Sequence, residues 1–192
     1  MISFIKDSRV YVSRIQRFNL RDYVEYALWV GFLFFLTAIT LFFLVYASQN
    51  QISFPNYAWF IPIGSGILWL SVSVDSIGHK TVYKEALESG ESLVHSIIIV
   101  FSGLSCIFLC AAAWDRMLWG VPALVFSVLS ICFSFIDEWM HWKRYMSGKC
   151  DRVEAVAHSG ILSGHLLLLA GWWLWLLTGY QGFTETMILL LG

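Results

Sequence analysis

Two stretches of the chain carry the same side-chain types in the same order: Asp75, His79, Tyr83, Glu91 and His95, then Asp137, His141, Tyr145, Glu154 and His158. In each, Asp, His and Tyr stand four apart. A longer gap with a Ser-Gly pair follows, Ser89-Gly90 or Ser147-Gly148, and then Glu and His stand four apart. Imidazole nitrogens and carboxylate oxygens together suit iron, manganese or zinc better than copper(I), which prefers soft sulfur. The carboxylates of Asp75, Glu91, Asp137 and Glu154 would neutralise two divalent cations, with His79, His95, His141 and His158 as neutral donors. This pattern predicts a dinuclear metal site of those eight residues, holding iron in the first instance, with zinc, copper or manganese as alternatives.

Residues four apart share one face of a helix. Each copy therefore reads as two facing helices that offer a carboxylate and an imidazole to one space, and the two copies together as a four-helix bundle. Counting from the middle of each turn at 1.5 Å per residue, the four histidines lie about 12 Å in and form one layer. Glu91 and Glu154 fall about one turn nearer the chain reversals, and Asp75 and Asp137 about one turn deeper. Some of these carboxylates would orient a histidine rather than bind metal.

The chain around these residues is too apolar for an ordinary soluble domain. It has 192 residues, 58% of them hydrophobic and 13% charged, with a mean hydropathy of +0.70. Five stretches approach the roughly 20 helical residues needed to cross a hydrocarbon core: Tyr23–Tyr46, Trp59–His79, Leu93–Ala113, Val121–Trp142 and Ala155–Leu177. The predicted fold is all-α and integral to the membrane, with five transmembrane helices. The second to fifth form the bundle from two repeated hairpins, units of about 57–113 and 119–178, and the first packs outside. Residues 1–20 read as a basic interfacial segment and 21–192 as a single transmembrane domain.

Lys6, Arg9, Arg14, Arg17 and Arg21 precede the first span, Lys80 and Lys84 follow the second, and Lys143, Arg144, Lys149 and Arg152 fill the fourth connection. The remaining connections hold only Arg116. The positive-inside bias then places the N-terminus in the cytoplasm, the C-terminus outside and both metal-motif turns on the cytoplasmic side, as in a bacterial cytoplasmic-membrane protein. The charged first stretch has no signal-peptide core and is expected to stay attached. Its Ile2, Phe4, Ile5, Val10, Val12, Ile15 and Phe18 among basic residues allow an interfacial helix, and Asn19 with Asp22 a cap for the first span. Trp59, Trp114, Trp119, Trp139 and Trp142, with Trp172, Trp173 and Trp175, read as interfacial belts. Cys106 and Cys110 share a helix face, but buried cysteines usually behave as small apolar residues.

Carboxylate–histidine hydrogen bonds in a metal-free scaffold are the plain alternative, since a lone intramembrane histidine is usually an interhelical contact. Ionisable groups at membrane depth cost a few kcal/mol each, however, and two matched sets of them call for something that offsets the cost. Three more residues lie near the scheme: His165, seven residues beyond His158; Glu25, at the glutamate depth; and Glu138, about 100° around the helix from Asp137. Each has a bland reading, hydrogen bonding for His165 and solvation for the two glutamates. Tyr83 and Tyr145 are placed to donate a hydrogen bond or an electron, or to anchor at the interface.

Inward-facing carboxylates and histidines on four helices resemble the di-iron carboxylate proteins, in which Glu and Glu-x-x-His residues line a four-helix bundle. This chain differs in its Asp/Glu-x-x-x-His spacing and in offering four histidines. Asp75-x-x-x-His79 followed by His95 also resembles the copper-binding run of the membrane C subunit of particulate methane monooxygenase, over a few residues. These are likenesses of site rather than of fold. The first functional class that the donor set and its membrane position fit is a non-haem di-iron oxidoreductase acting on a lipid or quinone-like substrate, with Tyr83 and Tyr145, one turn from the ligands, in catalytic roles.

Two other functional classes fit the same residues: a zinc hydrolase of a membrane lipid or peptide, using a metal-activated water, and a non-catalytic metal-binding, transport or electron-carrying module. Bis-histidine haem would leave the four carboxylates without a purpose. Neither a nucleotide fingerprint, a Walker loop nor GxSxG occurs. Electrons would therefore come from a partner protein or a quinone, and the expected partners are the bilayer and a lipid-soluble substrate, not nucleic acid.

Overall fold

The computed structural model of the chain describes residues 2–81, 89–148 and 151–192. Among the described residues it is all-helical, with seven α-helices: α1 Ile2–Ser13, α2 Leu20–Gln49, α3 Phe60–Thr81, α4 Ser89–Ala111, α5 Arg116–Met146, α6 Arg152–Leu177 and α7 Phe183–Leu191. The helices α2 to α6 are long and apolar enough to cross a membrane; α2, α5 and α6 each cover one of the five stretches expected from hydropathy, while α3 starts one residue after the expected Trp59 and α4 ends two residues before the expected Ala113. At 30 residues, α2 is about 45 Å long.

Local chemistry sets the helix ends. The Asn19 side chain accepts from the Asp22 backbone N–H at 3.0 Å while Asp22 accepts from that of Asn19 at 3.1 Å, a reciprocal cap that satisfies two of the free donors at the start of α2. Asp115 caps α5 by accepting from Leu118 N–H at 3.0 Å. Gly148, at φ +71°, takes the left-handed conformation just beyond α5, where a Cβ would be strained. The basic first stretch forms α1, and α7 is an added helix that the sequence pattern did not indicate.

The closest helix packing joins α3 to α6 and α4 to α5; α5 also packs on α6, and α2 on α3. Among the described residues, α3 and α4 touch little, and α5 and α6 pack less closely than α3 on α6 or α4 on α5, so the two expected hairpins are not the tightest pairs. Small residues explain the α3–α6 pair. A Cβ on Gly164 would stand 2.7 Å from the Leu68 backbone nitrogen and 2.8 Å from the Gly64 carbonyl oxygen. Gly160, four residues earlier, faces Ser71. Such a glycine repeat lets two backbones approach without side chains between them.

Gly164→Ala is therefore expected to force the helices apart and to cost about 1–3 kcal/mol as overpacking. Denaturant unfolding in detergent measures it, with Gly31→Ala as the control, because Gly31 has open space around its Cα. Equal midpoints for the two variants would show that the contact does not hold α3 to α6.

The apolar core lies toward the α7 end, around Leu44, Ile61, Leu109, Leu168, Trp172 and Trp175. Trp172 and Trp175 are 4% and 7% exposed and belong to that core rather than to an interfacial belt. The reason is that α6 is enclosed by its neighbours; the Trp175 indole N–H is satisfied internally, donating to the Gln181 carbonyl at 3.0 Å. Trp114, Trp139 and Trp142 stay exposed. A smaller core of Tyr11, Phe18, Ile77 and Val153 closes the opposite end.

Candidate metal centre

Four helices bring the histidines to one place. His79 comes from α3, His95 from α4, His141 from α5 and His158 from α6. The His141 and His158 rings stack at 3.4 Å between centroids, and His79 and His95 meet edge to face at 4.9 Å. His95 lies 5.7 Å from His141, and His79 lies 6.4 Å from His158. The single histidine layer expected from the spacing is thus present.

The two aspartates sit among these rings and are used in the same way. Asp75 lies 3.3 Å from His79 on its own helix and 3.0 Å from His158 across the α3–α6 pair. Asp137 lies 3.6 Å from His141 on its own helix and 3.0 Å from His95 across the α4–α5 pair. Each aspartate therefore links a histidine of its own sequence copy to one of the other copy.

The glutamates form the next layer with a cation between them. Arg144 donates to both Glu91 and Glu154, the latter at 3.2 Å. His141 lies 3.3 Å from each glutamate, through Nε2 to Glu91 and Nδ1 to Glu154. Glu138 also reaches the cluster, 3.5 Å from His158 Nδ1. Sequence spacing had turned Glu138 away from Asp137, but α6 crosses α5 on that side, so both faces meet histidine.

Arg144 is the residue that sequence reasoning missed. In the sequence it is one positive charge of a basic turn, although its place three residues beyond His141 puts it on the same face. Five carboxylates against one guanidinium leave four negative charges, still the charge of two divalent cations.

Three groups of donors lie with their ligand atoms within 4.8 Å of one another: His79, Glu91, His95 and His141; Asp75, His79 and His158; and Asp137, His141 and His158. Shared histidines make them one contiguous cluster. Glu154 belongs to none of the three; it faces Arg144 and His141. The donor set fits hard or borderline divalent ions. Asp75 Oδ1, Asp137 Oδ1, Glu91 Oε1 and both ring nitrogens of His141 and His158 are buried and face one another or neighbouring carboxylates without an aligned hydrogen bond, and polar atoms converging on one space in this way are what a cation would satisfy.

The remaining expected residues lie elsewhere. Glu25 pairs with Lys80 at 2.6 Å and Arg21 at 2.8 Å, joining α2 to α3 away from the cluster. His165 is deeper in the bundle among serine hydroxyls. Tyr145 packs its ring on Trp142, and Tyr83 lies outside the described residues. The tyrosine that does enter the bundle beside a cluster helix is Tyr11 of α1, 2% exposed, whose ring crosses Gly78, the residue before His79.

Exposure within the cluster is uneven. The side chains of His141 and His158 are 4% and 2% exposed, against 15% for His79 and 24% for His95. The accessible edge is thus the α3–α4 side, where the two helices pack least. No protein-family model, curated protein or solved structure matches the chain.

Proposed function

We propose that the chain is a membrane-embedded dinuclear metal protein, with iron as its metal, that oxidises a lipid-soluble substrate. The observation that carries this reading is the convergence of the spaced His, Asp and Glu residues of four helices into one buried cluster whose donor atoms face each other. Membrane embedding is supported by five long apolar helices and by outward Leu28, Phe32, Phe35, Ile39 and Phe42 on α2, an apolar face that a soluble monomer would not present to water. The Lys and Arg distribution supports a cytoplasmic N-terminus and cytoplasmic turns at the cluster end.

In this reading Asp75, His79, Glu91, His95, Asp137, His141 and His158 hold the metal ions. Glu154 and Arg144 fix Glu91 and His141 in place, and Glu138 orients His158. The chemistry a bound iron pair supplies is oxidation with dioxygen as the oxidant. Substrate reaches the cluster between α3 and α4, at the more exposed His79 and His95, directly from the lipid. Stacked His141 and His158 keep the opposite wall closed to water. Reducing equivalents come from a partner protein or a quinone.

Elemental analysis and the optical spectrum of the purified protein test this directly. Iron, a dithionite-sensitive absorption and oxygen consumption with a lipid or quinol substrate are expected. Zinc, with oxygen-independent cleavage of a lipid ester or amide, would replace this reading by the hydrolase. A metal-free protein would make the cluster a histidine–carboxylate ion-pair network.

A further inference from the structure

The helix α1 has one face spent on the bundle and the rest turned outward. Tyr11, buried, packs with Phe18 against Ile77 of α3 and Val153 of α6, and its hydroxyl lies against Gly78. Arg14, just beyond α1, stands 4.9 Å over the same ring and 3.2 Å from Asp151, the residue that precedes α6. Gly78 is three residues from the end of α3, and Val153 is the second residue of α6. The helix α1 therefore sits within about one turn, roughly 5 Å, of two helix ends. For helices that cross a membrane, that is the level of the headgroups.

The outward part of α1 combines apolar and basic side chains. Phe4, Ile5, Ser8, Arg9 and Val12 line one open groove, and Ile5 and Val12, seven apart and so on one face, are 57% and 43% exposed. Lys6, Arg9 and Arg17 are exposed and enter no ion pair among the described residues. Asp7 is the one acid in positions 4–18, so this surface is basic. An amphipathic helix of this kind lies in an interface, its apolar side chains among acyl chains and its cations at the headgroups, which long basic side chains reach while their stems stay in apolar surroundings. Orientation by the positive-inside bias would also gather cations here. It requires no exposed apolar face beside them, and α1 has one.

We propose that the outer face of α1 binds anionic phospholipid of the adjoining leaflet, which makes α1 a strap held by lipid on one face and by the α3–α6 pair on the other. It rests on the transmembrane placement in the proposed function and not on the metal. Lipid phosphates supply the negative charge that Lys6, Arg9 and Arg17 do not find within the chain, and acyl chains cover Phe4, Ile5 and Val12. Each basic residue at an anionic membrane surface is worth roughly a factor of five in binding. Salt screens that part and leaves the apolar part in place.

The test uses the full chain in nanodiscs of phosphatidylcholine alone or mixed with phosphatidylglycerol, and reads amide hydrogen exchange in α1 by mass spectrometry. Both faces of a nanodisc are open and its leaflets are alike, so residues that serve only to orient insertion have no effect. Exchange in α1 should be about tenfold slower or more in the anionic discs, with α7, at the opposite end, unchanged. Lys6→Gln combined with Arg9→Gln should remove most of that difference, and high salt should shrink it in wild type. Equal exchange in the two lipids overturns the proposal and leaves the face to an acidic protein partner. A difference that survives the double variant also overturns it, as does inorganic phosphate that reproduces the slowing in phosphatidylcholine discs. Metal content of the same preparations separates the two readings. Lipid-dependent protection without metal removes the metal centre and leaves the strap, whereas metal without that protection removes the strap alone.

Discussion

Replacing His158 by alanine is expected to cut the metal content from about two ions per chain to one or fewer, the largest single effect on the centre. His158 is a member of two of the three donor groups, lies 3.0 Å from Asp75 and 3.5 Å from Glu138, and stacks on His141. Its removal takes a donor from two of the three groups at once and leaves Asp75 and Glu138 without their shared partner. His95→Ala, on the more exposed edge, removes one donor and should lower the content by about one ion. Metal-to-protein ratios of both variants, from detergent-purified material of equal helicity, decide the matter. Wild-type ratios in both would end the metal reading.

Arg144→Met is expected to destabilise the chain by about 3–5 kcal/mol, because it strands two buried carboxylates that now share one guanidinium. Glu91 and Glu154 side chains are each 1% exposed, while Arg144 is 16% exposed. The arginine is thus the group through which that layer meets solvent. Adding Glu154→Gln to Arg144→Met removes one stranded charge and should recover a good part of the loss. Unfolding midpoints in detergent measure both steps. A single variant within about 0.5 kcal/mol of wild type, the range of an ordinary surface change, would show that the glutamates do not depend on Arg144.

The two largest effects differ in how visible they were before the fold was known. His158 stood out because i, i+4 spacing fixes which residues share a face whatever the helix packs against. Asp75 with His79, and Asp137 with His141, met as that geometry requires. Arg144 carried the same signal, three residues beyond His141, but a basic residue near a turn is commonly solvated and its direction is not encoded locally. Glu138 shows the converse. It points about 100° around α5 from Asp137, as helix geometry requires, yet it contacts His158 because α6 lies on that side.

Hydropathy and spacing by themselves determined the helical class, the five apolar helices, the Asn19–Asp22 cap and the histidine layer. These are local properties: helix periodicity, side-chain solvation and capping act within a turn or two of the chain. Only the tertiary structure decided which helices pair, that Asp75 reaches His158 and Asp137 reaches His95, that His165 joins a serine row, and that Trp172 and Trp175 are core. Those outcomes depend on how closely two backbones approach. Between α3 and α6 that approach is set by the glycines at positions 64, 160 and 164, a fit between distant segments that no single window of sequence contains.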